Sequence, residues 1–357
     1  MDEAKELFLD YKIANMTLEE KIGQLIYMDY RSISEMDVHL EDILSTYNPG
    51  GFILFRSNVT DFNQTQKFIS DIKDIPNIPI FIGTDQEGGR VQRIKNIEHF
   101  TTMPPMMEIG KTMNPNYAYE IGKQMGEELH HLGVNMDMAP VLDVFSNPQN
   151  TVIGDRAFGT DAKAVSEMGI AFSEGLRDAK IIPVIKHFPG HGNTAVDSHI
   201  NLPVMNKNYD ELQKSDLIPF VNAIKNNAEA IMLGHLAVPR VTNDNIPASM
   251  SPIIIKDILR KDLDFNGILM TDSIKMKALT KYFTEEEIYL RVIRSGNDLI
   301  LMPNDVVKAF ETIRVAVLEG QISEQEIDIS VRRILSVKYN YGLFNEEIFN
   351  QRNNLLR

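Results

Sequence analysis

Residues 181–187 of the chain read IIPVIKH. The run up to Ile185 is almost entirely apolar, which is typical of a strand that is buried on both faces. The run then ends in two ionisable residues, Lys186 and His187. Parallel strands surrounded by helices show this pattern, and polar residues at the carboxyl ends of such strands lie where active sites are built.

Seven further runs of the same kind recur along the chain, so we predict eight buried strands. Their ranges, in order, are 22–28, 50–55, 79–85, 133–139, 181–187, 229–235, 267–272 and 296–302. Segments with helical spacing of apolar residues lie between them, including 117–132, 162–179 and 209–225. Strands that alternate with helices favour parallel βα units, and eight such units predict a (β/α)8 barrel of the TIM type.

We expect one catalytic barrel domain over residues 1–357, with a closing helix within 330–343, because the sequence shows no internal repeat and no linker. A doubly wound open sheet is the alternative fold. That fold usually carries a Gly-rich dinucleotide turn after its first strand, and this sequence has none.

Composition excludes several classes of function. The formal net charge of -14, with no basic stripe, argues against nucleic acid and membrane surfaces as partners. The absence of Cys excludes disulfides, thiolate metal sites and Cys nucleophiles. The start of the sequence lacks the basic and apolar regions of a signal peptide, and no apolar run approaches the length of a membrane-spanning helix. We therefore expect a cytoplasmic protein.

Ionisable residues mark the carboxyl ends of most predicted strands. Several of them at one rim indicate an active site there. These residues are Asp85, Asp137, Lys186, His187, His235 and Asp272.

The stretch KHFPGHGNTAVDSH at 186–199 contains three His, and its Pro and Gly residues predict a long loop after a strand. A phosphate loop is disfavoured because the required Gly and Lys spacing is missing. A metal site or a purely structural loop remains open. The fourth interpretation is acid/base catalysis by Asp197 and His199, which would lie on the same side of an extended segment and share a hydrogen bond.

Asp272 follows the apolar strand in ILMTDSIKM at 268–276, where a carboxylate can attack the anomeric carbon of a sugar. The alternative is a helix cap, since Asp is favoured just before helices. Asp85 can accept hydrogen bonds from sugar hydroxyls, and Arg93, Arg156 and Lys186 can donate them. Arg156 also fits a simple salt bridge within a loop.

At these residues the chain resembles the NagZ-type β-N-acetylglucosaminidases of glycoside hydrolase family 3. The resemblance runs from MTLEEKIGQL at 16–25 to SVRRILSVKYNYGL at 330–343. Its most specific motifs are TDQEGGRVQRI at 84–94, GDRAFG at 154–159, KHFPGHGNTAVDSHINLP at 186–203, MLGHLAVP at 232–239 and TDSIKM at 271–276.

The resemblance implies a role for each candidate residue. Asp272 corresponds to the nucleophile of a retaining glycosidase, and Asp197 with His199 corresponds to an acid/base dyad on a mobile loop after the fifth strand. The sugar-binding positions of the family fall on Asp85, Arg93, Arg156, Lys186 and His187. Asn193 departs from the family pattern, which often has Asp there, and the sequence shows no second domain after the barrel.

The implied reaction removes terminal N-acetylglucosamine from peptidoglycan fragments during wall recycling. The expected substrate is a small carbohydrate in which this sugar is linked to N-acetylmuramic acid or its anhydro form, and no metal or organic cofactor is expected. A phosphorylase that uses inorganic phosphate as acceptor is the main alternative. An inactive sugar-binding protein and a metal-dependent hydrolase are the others. The oligomeric state is not predicted.

Overall fold

The computed structural model describes residues 3–31, 33–194, 197–198 and 200–344. Eight of its strands form one sheet in which every neighbouring pair is parallel. These strands are β1 (Ile26–Met28), β2 (Gly51–Leu54), β3 (Phe81–Thr84), β4 (Met136–Asp137), β5 (Ile182–Phe188), β6 (Ala230–Leu233), β7 (Ile268–Thr271) and β8 (Ile300–Leu301).

The sheet closes on itself. Strand β8 pairs with β1 in the register Ile26 to Ile300, and each later strand pairs with the next one in the chain. Between β7 and β8, Met270 forms a parallel bridge with Leu299. The amide of Leu301 also donates to the Thr271 hydroxyl over 3.1 Å. The predicted (β/α)8 barrel is therefore confirmed.

Helices alternate with the strands around the barrel. The α-helices are Glu3–Asn15, Leu18–Gln24, Val38–Tyr47, Phe62–Asp74, Met106–Lys111, Pro115–Leu132, Ala162–Asp178, Tyr209–Gln213, Ile218–Lys225, Pro239–Thr242, Lys277–Thr280, Glu285–Ser295, Val306–Leu318 and Glu324–Asn340. A π-helix covers Ile253–Asp262. Short 3-10 turns cover Arg56–Asn58, Gly154–Arg156 and Ala248–Met250, and an antiparallel hairpin pairs Gln86–Gly88 with Val91–Gln92.

Three predicted elements differ from the structure. The first predicted strand, 22–28, begins inside a helix that ends at Gln24, because a capping box between Thr17 and Glu20 starts that helix. The predicted helix 209–225 is broken into Tyr209–Gln213 and Ile218–Lys225. The closing helix begins at Glu324, earlier than the predicted segment, with Ser323 as its cap.

Alternation along the strands sorts their side chains into two packed layers. In β5, Ile182 and Val184 pack in the cluster inside the barrel, whereas Ile185 packs against the surrounding helices. In β7, Ile268 and Met270 likewise face the interior. The inward rows continue toward the carboxyl ends of the strands, so the next inward positions are Lys186 and Asp272.

Candidate active site

A cavity of about 890 Å³ opens at the carboxyl ends of the strands. Seven of the eight site residues named from the sequence line it. They are Asp85, Arg93, Arg156, Lys186, His187, Asp197 and Asp272. The eighth, His199, lies outside the described residues.

Buried ion pairs build one wall of this cavity. The ammonium of Lys186 is 2.9 Å from an oxygen of Asp85 and 2.6 Å from an oxygen of Glu87. Arg156 donates to both oxygens of Glu87 over 2.8 Å each, the bidentate geometry that makes such pairs strong. Arg93 meets Asp85 at 3.2 Å. Opposite charges therefore alternate along this wall, which we call the charge wall.

The charge wall keeps its carboxyl groups ionised. Burial by itself raises the pKa of Glu87, but Arg156 and Lys186 more than offset this effect and hold that pKa far below its usual range. Burial likewise acts to raise the pKa of Asp85, which Lys186 and Arg93 lower. Burial lowers the pKa of Lys186, yet the two carboxylates raise it overall. Hence all these groups carry charge at neutral pH and can bind sugar hydroxyls.

Glu87 was missed by the sequence reasoning. Glu87 lies two positions after Asp85 in the stretch TDQEGG. Side chains two positions apart in an extended segment point to the same face, and this spacing is the signal that could have predicted its place beside Asp85. The amide of Gln86, between the two carboxylates, donates to Asp137 over 2.9 Å. Asp137, counted at the rim from the sequence, thus holds the backbone of the charge wall.

Arg156 is not the loop salt bridge considered as an alternative. That role belongs to Arg90 and Asp155, whose exposed side chains pair at 2.8 Å. The guanidinium of Arg156 instead points inward to Glu87, with a side chain that is largely buried.

His187 is oriented by a carboxylate that the sequence reasoning also missed. Its Nδ1 lies 2.7 Å from Asp143, which is fully buried. The same carboxylate accepts a hydrogen bond from the amide of His191 over 2.6 Å. The other ring nitrogen, Nε2, lies 3.5 Å from the guanidinium of Arg156.

Asp272 projects into the cavity from the end of β7. Burial acts to raise the pKa of this carboxyl, but His187, His235 and the amide of Ser273 lower it overall. The Ser273 amide donates to Oδ1 over 2.7 Å. The next helix begins at Lys277 with Met276 as its cap, so Asp272 does not cap it. An anionic carboxylate at a strand end can act as a nucleophile.

His235 supports the turn that carries Asp272. Its Nε2 donates to the carbonyl of Ser273 over 2.9 Å, and the hydroxyl of Ser249 lies 2.7 Å from its Nδ1. Burial lowers the pKa of this imidazole, so it is neutral. Because both ring nitrogens are used in these hydrogen bonds, His235 is a supporting residue.

Asp197 lines the cavity from the loop after β5. Its carbonyl accepts hydrogen bonds from the amides of Ile200 and Asn201, over 2.9 and 3.0 Å. This bonding belongs to a turn, so the expected extended segment at Asp197 is wrong. The predicted hydrogen bond between Asp197 and His199 falls partly on an undescribed residue and stays a prediction.

The acid/base turn, which we define as Asp197, Ser198, Ile200 and Asn201, rests on the segment that follows Asp272. The Ala278 amide donates to the carbonyl of Ser198 over 3.1 Å. The hydroxyl of Tyr282 donates to Asn201 over 2.5 Å. From below, His191 Nε2 lies 3.4 Å from the Ser198 hydroxyl. The segment that follows Asp272 is therefore hydrogen-bonded to the acid/base turn.

Within the described part of the chain, no group of at least three His, Asp or Glu side chains is arranged to hold a metal ion. The expectation of a cofactor-free enzyme stays a prediction. Nor does any described helix combine the length and apolar character that a membrane crossing requires.

Comparison with known proteins identifies the family. The model described as Glycosyl hydrolase family 3 N terminal domain matches residues 17–337. The chain belongs to glycosyl hydrolase family 3. This membership and the closed barrel confirm the resemblance inferred from the sequence motifs.

The similar family 3 proteins include named hexosaminidases. Beta-hexosaminidase of Hydrogenovibrio crunogenus is 33% identical over 307 residues, covering 83% of this chain and 84% of that protein. Beta-hexosaminidase A of Pseudoalteromonas piscicida is 30% identical. The match covers 90% of this chain but only 61% of the Pseudoalteromonas protein. A family 3 β-N-acetylglucosaminidase structure from Paenibacillus has a TM-score of 0.89 and 35% identity, covering 92% of this chain and 63% of that one.

Proposed function

We propose that this family 3 barrel is a retaining exo-β-N-acetylglucosaminidase. It would release terminal N-acetylglucosamine from peptidoglycan fragments in which that sugar is linked to N-acetylmuramic acid or its anhydro form. Wall recycling in the cytoplasm would be its setting, with one catalytic barrel and no cofactor. The observation that carries the proposal is an anionic Asp272 in the same cavity as the charge wall and Asp197.

The charge wall supplies sugar recognition in this proposal. The carboxylate of Asp85 accepts hydrogen bonds from hydroxyls, and Arg93, Arg156 and Lys186 donate to them. Their mutual ion pairs fix these groups before substrate arrives, so little ordering remains to be done on binding. His187 Nε2 adds a further polar atom beside Arg156.

The reaction then proceeds in two displacements. A carboxylate oxygen of Asp272 attacks the anomeric carbon, while His199 gives its proton to the departing glycosidic oxygen. The bond to the aglycone breaks, and a glycosyl ester forms on Asp272. In the second step the now neutral imidazole removes a proton from water, which attacks the same carbon and releases Asp272. Two inversions give net retention, with Asp197 stabilising the imidazolium.

Two aryl glycosides test the proposal. Release of 4-nitrophenol should be much faster from the β-N-acetylglucosaminide than from the β-glucoside, because the two differ only at the 2-acetamido group. Proton NMR during turnover should show the β-anomer of the free sugar first. Preference for the glucoside would refute the substrate assignment, and initial release of the α-anomer would refute retention.

Phosphorolysis is the second candidate. An imidazole is neutral after it gives up its proton, so it would not repel an incoming phosphate as a carboxylate does. The cations Arg93, Lys275 and Lys277 also line the cavity. Turnover in phosphate and in a non-nucleophilic buffer of equal ionic strength would distinguish the acceptors, with N-acetylglucosamine 1-phosphate detected by mass spectrometry. A product free of sugar phosphate would leave water as the acceptor.

A further inference from the structure

The outer part of the cavity contains cations that the charge wall does not use. Arg31 follows β1, Lys275 follows β7, and both line the cavity. One carboxylate, Asp29, serves them both: Lys275 meets it at 2.7 Å and Arg31 meets it through Nε at 2.8 Å. Two positive charges thus share one negative charge, and a net positive charge remains.

The arrangement of Arg31 leaves hydrogen-bond donors available. Its guanidinium lies 4.0 Å from the centre of the Phe55 ring. Stacking on an aromatic ring fixes the plane of a guanidinium, and Asp29 uses Nε. The two terminal nitrogens have no hydrogen-bond partner among the described residues. These nitrogens carry the donors that suit a planar anion.

Burial separates the roles of the three charged groups. The Asp29 side chain is 2% exposed, whereas Arg31 is 49% exposed and Lys275 is 32% exposed. The carboxylate is hidden beneath the cations, so a molecule in the cavity meets mainly positive charge. One cation would be enough to neutralise Asp29, so the second gives this part of the cavity an excess positive charge. The excess contrasts with the formal net charge of the chain, which is -14.

The position of these cations matches the departing part of a substrate. They follow β1 and β7, whereas the loop that carries Asp197 follows β5, four strands from β1 in a closed barrel of eight. Arg31 therefore borders the cavity across from that loop, whereas Lys275 borders it three residues after Asp272. A terminal sugar that is held by the charge wall would leave its aglycone beside these two cations.

We propose that Arg31 and Lys275 form an anion subsite that binds a carboxylate on the aglycone. This inference rests on the proposed glycosidase function and adds the charge of the preferred leaving group to it. Asp29 and Phe55 hold the two cations in place. The contact is partly exposed, so its effect is modest and weakens with added salt.

A matched pair of aglycones measures this effect. The substrates are β-N-acetylglucosaminides of 4-nitrophenol that carry at carbon 3 of the ring either a carboxylate or a carboxamide. In buffer of low ionic strength without phosphate, we expect kcat/KM to be about fivefold higher for the carboxylate than for the carboxamide. That ratio should fall toward one in 0.5 M NaCl, because the Debye length is then below about 5 Å and the charges are screened.

Variants assign the effect to the two cations. Arg31→Gln and Lys275→Gln should each reduce the ratio, and the double variant should bring it to about one. Lys225→Gln is the control, because it removes the same charge from an exposed helix end before β6, away from the rim. A ratio of one in the unaltered protein, or a ratio that survives the double variant, would overturn the anion subsite. Failure to cleave either substrate would instead refute the proposed function.

Discussion

The charge wall and the acid/base turn line the same cavity but are stabilised in different ways. Lys186 and Glu87 are almost wholly buried, and short ion pairs join residues from the hairpin after β3, the 3-10 turn after β4 and strand β5. Among the residues that the structure describes, the acid/base turn is hydrogen-bonded to Ala278, Tyr282 and His191. Breaking a buried charge pair costs about 3–5 kcal/mol, whereas losing one hydrogen bond costs about 1 kcal/mol.

This difference suggests a division of labour. Sugar recognition needs groups that keep their positions and charges through the reaction, and buried ion pairs provide both. Proton transfer needs a group that changes charge between the two displacements. The connection of the turn to Ala278 keeps Asp197 close to Asp272, the proposed nucleophile. Five substitutions and two controls test this distinction, in order of expected effect.

Asp272→Asn should have the largest effect. It removes the negative charge of the nucleophile but keeps the shape of the side chain, so kcat should fall at least about 10⁴-fold. Binding of N-acetylglucosamine, measured by calorimetry, should remain because the charge wall is intact. Substantial residual hydrolysis would show that another group forms the covalent intermediate. A fluorosugar trapped on Asp272 and located by peptide mass would support its role directly.

Glu87→Gln should break the charge wall. Removing one member of a buried charge network leaves Arg156 and Lys186 less compensated, which should reduce the free energy of unfolding by about 3–5 kcal/mol. The folded pKa of Glu87 is depressed, so its stabilisation is present above the unfolded pKa near 4.5 and is lost as pH falls below that value. The difference between the two proteins, measured by urea unfolding, should therefore shrink in acid.

Asp155→Asn is the matched control for Glu87→Gln. It also removes one carboxylate from an arginine pair, but both partners are 47% exposed, so the loss should stay below about 1 kcal/mol. Equal losses in the two variants would contradict the distinction between buried and exposed pairs.

His199→Ala tests the acid/base side. The loss of kcat/KM should be about 10²- to 10³-fold for a natural disaccharide, because its sugar oxygen is a poor leaving group. A 2,4-dinitrophenyl glycoside needs no proton and should lose less than about tenfold. Asp197→Ala should show the same pattern more weakly, since an imidazole without its carboxylate can still donate. Equal losses on both substrates would exclude His199 as the acid.

Tyr282→Phe should have the smallest effect. It deletes the hydrogen bond to Asn201, and one such bond corresponds to about a two- to tenfold change in rate for the disaccharide. The loss should again be smaller for the dinitrophenyl substrate, which a general loss of stability would not produce. Tyr117→Phe, an exposed tyrosine on the helix before β4, supplies the control. An equal loss of rate on both substrates would show that Tyr282 stabilises the fold and does not position the acid/base turn.

The sequence by itself determined the barrel and most of the cavity lining. Apolar runs predict the buried strands, and the alternation of side chains within each run decides which residues face the barrel interior. Lys186 and Asp272 therefore reach the cavity as extensions of the inward rows of β5 and β7. A family resemblance added the roles of these residues, but their positions already followed from local periodicity.

Tertiary structure decided which charges meet. Glu87 pairs with Arg156 across 69 residues, and Lys186 with Asp85 across 101, distances over which strand periodicity carries no information. The same holds for Asp143 beneath His187. The turn at Asp197 was missed for a related reason, because a distant amide at Ala278 helps to hold it. Local sequence fixes the direction of a side chain, whereas its partner, and hence its charge state, depends on the closed barrel.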